Sequence, residues 1–341
     1  MGGQRSSVHK LSRVIDFETH VQAGEYIKAM QEFEGYPRYA LDSNGRFTWY
    51  ASPTMYEVRQ NLRNKFEDVS VRLADMEEAG IDVGVISGVA PGCEAFPREL
   101  GIRLSRINND FIAKIVGDDP ERFVGLATLP FQDVDAALAE FDRAAGLGLR
   151  GLMAFSNVKG KYADLEEFWP IYRRAEELRA PIFLHPTVPA NSEHYAKYHL
   201  WGPALGFGVD AETAALRMIM GGVFERFPGL RMILGHLGET IPFFLKRIDF
   251  VYLRTPEALP AIRKKPSEYF LTNFYVDTAG VFHEPALRCA YDSLDHGRIL
   301  FATDYPLEDS SKGKAFLAAS RIPDADKERI YGENAAELLG L

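Results

Sequence analysis

Short apolar runs alternate along the chain with longer segments in which apolar residues recur every three or four positions. Runs of the first kind, rich in β-branched residues, predict strands, and segments of the second kind predict amphipathic helices. The predicted strands are Arg13–His20, Val83–Ser87, Phe123–Leu129, Leu149–Phe155, Pro181–Pro186, Arg231–His236, Phe274–Thr278 and Arg298–Asp304. The clearest predicted helices between them are Val69–Ala79, Val134–Ala145, Leu165–Arg179 and Ala211–Phe227.

Several of these strands, such as Met232–Leu234 and Ile299–Phe301, are continuously apolar instead of alternating. Such runs are typical of parallel sheets, because helices cover the sheet and leave no strand face in water. Strands in strict alternation with helices predict a single α/β domain over residues 1–341, built as a (β/α)8 TIM barrel. A doubly wound open sheet would give a similar pattern, but the number of strands favours the barrel.

Two long insertions interrupt the alternation, residues 21–61 after the first strand and residues 187–209 after the fifth. In a barrel both would follow the carboxyl ends of strands, where the loops build the active site. We therefore predict that they are active-site loops, with most of their aromatic residues packed against the rim. These aromatic and histidine residues are Phe33, Tyr36, Tyr39, Phe47, Trp49, Tyr50, His194, Tyr195, Tyr198, His199, Trp201 and Phe207.

Composition and charge exclude several classes of protein. Hydrophobic residues make up 46% of the chain and charged residues 26%, as in a globular protein with an ample core. The net charge of −9 argues against a nucleic-acid partner, which would need a basic face. No apolar run could span a bilayer, and the N-terminus lacks the apolar core of a signal peptide. The segment Met1–Ser6 matches a myristoylation pattern, which we interpret as coincidence.

Cysteine usage points to a reducing compartment. The chain has only Cys93 and Cys289, too few for a disulfide framework. We therefore expect a cytoplasmic enzyme that acts on a small molecule and has neither a nucleic-acid nor a membrane partner.

Polar residues alternate at the end of the first predicted strand. Asp16, Glu18 and His20 are two residues apart, so their side chains are expected to project to the same face. Three polar side chains would be costly beneath the helix layer, and we expect them at the interior mouth of the barrel. A carboxylate and an imidazole at this spacing can both reach one cation, although the pattern alone is a weak signal.

Three further strands end in a polar residue. His185, His236 and Asp304 each follow at least three apolar residues and are expected at the same height of the barrel. A single histidine in such a place is more often a buried structural residue than a metal ligand. Four strands that end in His or Asp on one face predict instead a site for one divalent metal ion. Imidazoles and carboxylates without a thiolate suit Zn²⁺, Mn²⁺, Fe²⁺ or Co²⁺.

The set of residues resembles that of the amidohydrolase superfamily, in particular the branch with aminocarboxymuconate-semialdehyde, γ-resorcylate and 5-carboxyvanillate decarboxylases. The resemblance extends from the first strand to Tyr331–Ala335. Its most specific element is Gly235–Asp249, which is similar to the family's segment after the sixth strand. The segment Asp75–Asp82, with the sequence DMEEAGID, is also typical of the family.

The resemblance implies how the metal is held and used. One divalent ion, Zn²⁺ or Mn²⁺, would be bound by Glu18, His20, His185 and Asp304. Glutamate at position 18, where many superfamily members have a histidine, is similar to the benzoate-type decarboxylases. Asp16 would be structural.

The resemblance also implies residues that act beside the metal. His236 would be a catalytic histidine held by Glu239. Arg247 would cross a subunit interface to bind the substrate carboxylate, which requires a homodimer or a dimer of dimers. Arg59 or Arg63 would be a second carboxylate-binding arginine, and the alternative is that both are solvated helix charges.

The implied activity is metal-dependent, non-oxidative decarboxylation of an aromatic or related unsaturated carboxylic acid. Asp304 would protonate the ring carbon that carries the carboxylate, with His236 as an alternative or partner. A hydrolase or hydratase that uses metal-activated water at the same site is the alternative function. A non-catalytic protein with a vestigial site would be expected to lack a ligand, and none is missing.

Overall fold

A computed structural model of the chain describes residues 13–255, 257 and 262–341. The myristoylation-like segment Met1–Ser6 lies outside these residues. The strands are β1 (Ile15–Val21), β2 (Arg38–Leu41), β3 (Phe47–Tyr50), β4 (Tyr56–Val58), β5 (Val83–Gly88), β6 (Phe123–Thr128), β7 (Gly151–Phe155), β8 (Asn157–Val158), β9 (Lys161–Tyr162), β10 (Ile182–His185), β11 (Met232–Leu234), β12 (Phe274–Asp277) and β13 (Ile299–Leu300). The helices are α1 (Gly24–Glu32), α2 (Arg63–Glu67), α3 (Val69–Ala79), α4 (Arg98–Asp118), α5 (Val134–Gly146), α6 (Trp169–Leu178), α7 (Gly206–Met220), α8 (Val223–Arg226), α9 (Gly235–Gly238), α10 (Ile241–Arg254), α11 (Pro266–Asn273), α12 (Glu284–Ser293), α13 (Ser310–Ala319), α14 (Asp324–Glu328) and α15 (Asn334–Leu339).

Eight parallel strands form one sheet in the order β1-β5-β6-β7-β10-β11-β12-β13. Phe17 N donates to Phe301 O at 2.9 Å and His20 N donates to Tyr305 O at 2.7 Å, which joins the first strand to the segment that follows the last. The sheet therefore closes on itself, and the predicted barrel is confirmed.

The side chains of each strand alternate between two apolar layers. Phe183 packs inside the barrel with Phe17 and Met153. Its neighbours Ile182 and Leu184 pack outside, in the layer between the strands and the helices. Because strand side chains point to opposite faces in turn, His185 faces the interior like Phe183. The apolar floor of the barrel thus ends at polar residues on its carboxyl side.

Strand β1 contains a β-bulge, which changes the direction of its side chains. Asp16 pairs with Gly84 and Thr19 pairs with Ile86, so β1 uses one more residue than β5 over this stretch. A Cβ atom on Gly84 would meet Met76 of α3, which marks this register position as facing the helices.

The bulge separates Asp16 from the two polar residues that follow it. Asp16 accepts hydrogen bonds from the backbone N, at 2.9 Å, and the hydroxyl of Thr303, on the helix side. Glu18 and His20 face the interior. The prediction that all three side chains share one face is therefore wrong for Asp16, because a bulge shifts the two-residue alternation.

The two insertions pack on each other over one side of the barrel mouth. Residues 21–61 contain α1 and an antiparallel sheet of β2, β3 and β4, which the sequence pattern did not predict. Trp49 of this sheet is fully buried, and its ring centroid lies 5.4 Å from that of Trp201 in the second insertion. Trp49 and Trp201 thus help to pack the two insertions together.

The predicted helix Ala211–Phe227 is two helices in the structure, α7 and α8. The break lies at Gly221 and Gly222, and Gly222 has a φ of 82°, a left-handed conformation that glycine adopts without strain. Helix α7 also begins at Gly206, inside the predicted loop 187–209. Among the residues described, no helix combines the length and the hydropathy needed to cross a bilayer.

Candidate metal centre and active site

Four side chains converge at the carboxyl end of the barrel. Glu18, His20, His185 and Asp304 each offer one ligand atom, and these atoms all lie within 4.8 Å of one another. Glu18 Oε1 lies 3.1 Å from His185 Nε2, and Asp304 Oδ1 lies 3.1 Å from His20 Nε2. The first three residues are buried and Asp304 is partly exposed. The structure therefore brings together the four predicted ligands.

Backbone carbonyls orient both imidazoles of this cluster. His20 Nδ1 lies 3.2 Å from Gly88 O, and His185 Nδ1 lies 2.6 Å from Pro186 O. A carbonyl oxygen can only accept, so each Nδ1 carries the proton. Each Nε2 then presents its lone pair to the centre of the cluster, the arrangement that metal-binding histidines use.

The polar atoms at the centre fit a cation. Both carboxylate oxygens of Glu18, Nε2 of His20 and Oδ1 of Asp304 are buried without an aligned hydrogen-bond partner among the described residues. Buried acceptors without partners are costly, and a shared divalent ion satisfies all of them at once. Two carboxylates with two imidazoles are ligands that Mn²⁺ and Zn²⁺ both accept.

The electrostatics of the cluster favour positive charge at its centre. Burial lowers the pKa of His20, but Asp304 and Glu18 outweigh burial and raise this pKa to about 9. Burial raises the pKa of Glu18, but His236, His185 and His20 together hold it below its usual range. Glu18 is therefore an anion although it is completely buried.

His236 lies beside this cluster on a strained turn. The turn follows β11, and His236, Leu237 and Glu239 have positive φ values of 54°, 59° and 54°. His236 Nδ1 lies 2.8 Å from Glu239 Oε1, and the ring centroid of His236 lies 6.1 Å from that of His185. Burial lowers the pKa of His236, but Glu239 and Glu18 raise it well above its usual value.

A sequence profile of the amidohydrolase family matches residues 15–341. The chain belongs to the amidohydrolase family. The match includes all four residues of the cluster, as well as His236 and Glu239. The resemblance drawn from the motifs is thereby confirmed.

Three relatives within the family place this amidohydrolase among decarboxylases. γ-Resorcylate decarboxylase of Rhodococcus jostii (strain RHA1) is 34% identical over 329 residues, which are 92% of this chain and 98% of the relative. The structure of 5-carboxyvanillate decarboxylase from Sphingomonas paucimobilis matches with a TM-score of 0.87 at 32% identity, over 96% of this chain and 99% of that chain. A dihydroxybenzoic acid decarboxylase from Polaromonas sp. JS666, with bound manganese and the inhibitor 2-nitroresorcinol, matches with a TM-score of 0.82 at 30% identity, over 97% of each chain.

Two residues of this amidohydrolase's site were not singled out from the sequence. Asp277 ends β12, and its Oδ1 accepts from His236 N at 3.2 Å and from Ala279 N at 3.0 Å. Gly280 has a φ of 63°, and a Cβ atom there would lie 3.3 Å from Cδ2 of His236. Asp277 ends a strand just as Asp304 follows one, so the same argument from strand ends could have found it.

The two candidate arginines near the end of the first insertion, one inside it and one after it, have other partners. Arg59 is buried and donates to Glu57 Oε2, Tyr39 Oη and Ala90 O. Arg63 is exposed, and its Nε donates to Glu67 Oε1 at 2.9 Å. That either of them binds a substrate carboxylate stays a prediction.

Arg247 lies on the outer surface of this amidohydrolase. It is exposed on α10, and it makes no hydrogen bond or ion pair with any residue in the described part of the chain. Helix α10 follows directly after Glu239 but runs along the outside of the barrel. An arginine in this position is free to contact another molecule.

Proposed function

We propose that the protein is a metal-dependent, non-oxidative decarboxylase of an aromatic or related unsaturated carboxylic acid. The observation that carries this proposal is the buried cluster of Glu18, His20, His185 and Asp304 in a chain whose curated relative at 34% identity is a γ-resorcylate decarboxylase. The bound manganese of the Polaromonas relative supports one divalent ion as the cofactor.

These four side chains would hold the ion, which when bound orients the acid and takes up negative charge. Asp304 faces the cluster with a buried Oδ1, yet its side chain keeps 15% of its surface exposed. Its carboxyl group can therefore carry a proton to the ring carbon of an acid bound beside the cluster. The bond from this carbon to the carboxylate then breaks, its electron pair returns to the ring, and CO2 leaves.

His236 is the second group beside the cluster that can hold a proton. Its Nδ1 is engaged by Glu239, so its Nε2 is the atom left for the substrate. Asp277 fixes the backbone of His236, and Gly280 leaves open space beside its ring. The imidazole can thus donate to a ring hydroxyl or relay the proton to Asp304 without moving its main chain.

The surface of α10 supports a homodimer, either alone or as half of a dimer of dimers. Phe243, Phe250 and Leu253 have exposed fractions of 75%, 57% and 58%, an unusual density of large apolar side chains on one surface helix. Arg247, on the same helix, has no partner within the described residues. A second copy would cover the apolar side chains and bring Arg247 to the other subunit's substrate carboxylate.

The cysteines support a reducing compartment, and we place the protein in the cytoplasm. Cys93 and Cys289 are both free thiols. Cys93 is fully buried, and burial raises its pKa well above the usual value, so it stays a thiol.

The proposal is tested by mass spectrometry of a reaction with Mn²⁺ or Zn²⁺ in D2O. The substrates are ortho-hydroxylated benzoates, phthalates and carboxymuconate-type acids, with esters and lactones as a comparison set. Loss of CO2 with one deuterium at the vacated carbon is the expected result. Gain of water instead would overturn the decarboxylase assignment and assign the site to a hydratase or hydrolase. The Asp304→Asn variant, assayed with its metal content measured, tests the proton donor separately.

A further inference from the structure

A cleft of about 260 Å³ lies at the carboxyl side of the barrel. Its walls come from four loops, represented by Pro37 after β1, Pro91 after β5, Asn157 after β7 and Thr187 after β10. All four loops follow carboxyl ends of barrel strands, on the side where this fold places its active site. The volume equals that of on the order of eight water molecules at ~30 Å³ each, enough for a substituent of a small ring.

The cleft is close to a metal ligand. Thr187 in its wall is two residues beyond His185 in the chain. The ring centroid of Phe155 lies 5.7 Å from that of His185. A Cβ atom on Gly92 would lie 2.2 Å from both the Phe155 ring and Oε2 of Glu94, so that Glu94 and Phe155 meet across Gly92. One aromatic ring thus separates the carboxyl group of Glu94 from the cluster.

Glu94 is a buried acid whose only hydrogen bond within the described chain comes from its own backbone N–H. It lines the cleft with only 3% of its surface exposed, and its carboxyl group makes no hydrogen bond or ion pair with another residue of the described chain. Burial raises the pKa of Glu94 to about 8. Near neutral pH the group is therefore mostly a carboxylic acid, which can donate its O–H as well as accept.

Asp210, another buried acid on this side of the barrel, receives hydrogen bonds from its neighbours. Asp210 accepts from Ser156 Oγ, Asn157 Nδ2 and Tyr162 Oη, and so holds the loops that form the cleft. Because the fold supplies donors to Asp210, the isolation of Glu94 is not a general feature of these loops. A buried polar group without a partner is costly, and such a group in a cleft is typical of a binding site.

Two more polar groups of the cleft are unused. The hydroxyl of Thr187 makes no hydrogen bond within the described residues, although this side chain is only 6% exposed. Lys159 lies at the rim, exposed and without an ion pair among those residues, whereas Lys161 of the same hairpin pairs with Glu167 Oε1 at 3.1 Å. The cleft therefore offers the carboxyl O–H of Glu94, the hydroxyl of Thr187 and the ammonium group of Lys159.

We propose that this cleft is the subsite for an oxygen-bearing substituent of the acid, a hydroxyl or a second carboxyl group, with Glu94 as the residue that determines specificity. The substituent points away from the metal cluster, past Phe155, and exchanges hydrogen bonds with Glu94 and Thr187. Lys159 favours the anionic member of this class, a second carboxylate. The inference rests on the proposed function, because it concerns the substrate of the same site.

The test compares pairs of ligands on the Mn²⁺-loaded protein. The ligands are 2-hydroxybenzoate and its derivatives with one further hydroxyl or carboxyl group at each free ring position in turn. For each, calorimetry gives the dissociation constant and product analysis gives kcat/KM. The wild type should bind one derivative at least roughly tenfold more tightly than the parent acid. This is the effect of one buried hydrogen bond that the added substituent makes and the parent acid cannot make.

Two variants of Glu94 separate recognition from structure. Glu94→Leu, which removes the donor at similar volume, should abolish this preference while leaving binding of the parent acid within about threefold. Glu94→Gln keeps a donor and an acceptor and should keep most of the preference. Equal loss for both ligands, or an unchanged preference in Glu94→Leu, would overturn the proposal.

Lys159 has a matched control on the same hairpin. Lys159→Ala should weaken binding of the derivative with a second carboxylate, and Lys161→Ala should not. The same weakening in both variants, or in neither, would contradict the role of Lys159. A protein that discriminates between the ligands in binding but releases no CO2 supports the subsite and contradicts the decarboxylase function. Turnover without discrimination between the ligands supports the decarboxylase function and contradicts the subsite.

Discussion

His236 Nδ1 and Glu239 Oε1 lie 2.8 Å apart across a turn in which both residues have positive φ. The carboxylate accepts from Nδ1 and leaves Nε2 without a partner among the described residues. Asp277 holds the same turn from the other side through the backbone N of His236. The orientation of the His236 side chain thus depends on two acids outside the four-residue cluster.

Replacement of Glu239 by Gln should lower kcat while the metal remains bound. An amide can donate to Nδ1 and stabilise the wrong tautomer of His236, and loss of such an orienting acid costs about 10²–10⁴-fold in related catalytic arrangements. Steady-state kinetics and metal analysis of the purified variant check this. Full activity at full metal content would show that Glu239 does not orient His236.

Replacement of His185 by Ala should remove most of the bound metal. His185 Nε2 is 3.1 Å from Glu18 Oε1, and its loss leaves a buried carboxylate with fewer partners. Metal content by plasma mass spectrometry should fall by at least roughly tenfold at limiting metal. His194→Ala is the control, because this exposed histidine is outside the cluster. Equal metal retention in the two variants would refute the ligand assignment.

Phe183 should be a main determinant of stability beneath the cluster. It is completely buried, and its ring stacks on Phe17 with the centroids 6.3 Å apart. Phe183→Ala should lower the free energy of unfolding by about 3–5 kcal/mol, the range for a large aromatic side chain in a core. Tyr198→Ala, at a position that is 76% exposed, should change it by less than about 0.5 kcal/mol. Urea unfolding of both variants measures the difference.

Glu94 should make stability fall as pH rises. Its pKa is raised from 4.5 to about 8 in the folded protein, so below pH 4.5 both the folded and the unfolded chain carry the proton. Above this pH the unfolded chain ionises and the folded chain does not, which lowers the free energy of unfolding by at most about 1.4 kcal/mol per pH unit. The decrease ends near pH 8, where the folded chain ionises too.

Glu94→Gln removes this titration. The free energy of unfolding of the variant relative to the wild type should therefore increase from pH 4.5 to about 8 and be constant above. Urea titrations of both proteins at several pH values, at the same metal concentration, test the sign. Parallel pH profiles would mean that the carboxyl group is not protonated in the fold.

Two inactive variants should restore each other if Arg247 acts across a dimer. Arg247→Ala lacks the arginine and Asp304→Asn lacks the proton donor, so a mixed dimer contains one complete site. Mixing equal amounts under exchange conditions should give about a quarter of wild-type activity if subunits combine at random. A mixture as inactive as its components would contradict the shared site.

Replacement of Phe250 by Glu places a charge on the exposed apolar face of α10. This variant should therefore sediment as a monomer where the wild type sediments as a dimer.

The strands, the barrel and the residues of the candidate metal cluster could be predicted from the sequence because each depends on a local pattern. Apolar runs of a few residues predict buried parallel strands, and a polar residue after such a run lies at the carboxyl end of the barrel. His185 and Asp304 were found in this way without any knowledge of how their strands are arranged. Closure of the barrel then brings together all strand ends, however far apart they are in the chain.

Only the tertiary structure decided which way individual side chains face and what surrounds them. The bulge in β1 turns Asp16 towards the helices. The bulge is a property of the pairing of β1 with β5, and the two-residue alternation within β1 gives no sign of it. Glu94 follows no strand pattern, and four loops distant in sequence bury it without a donor from any described residue other than Glu94 itself. Burial and hydrogen-bond partners are properties of long-range packing, so no local pattern predicts them.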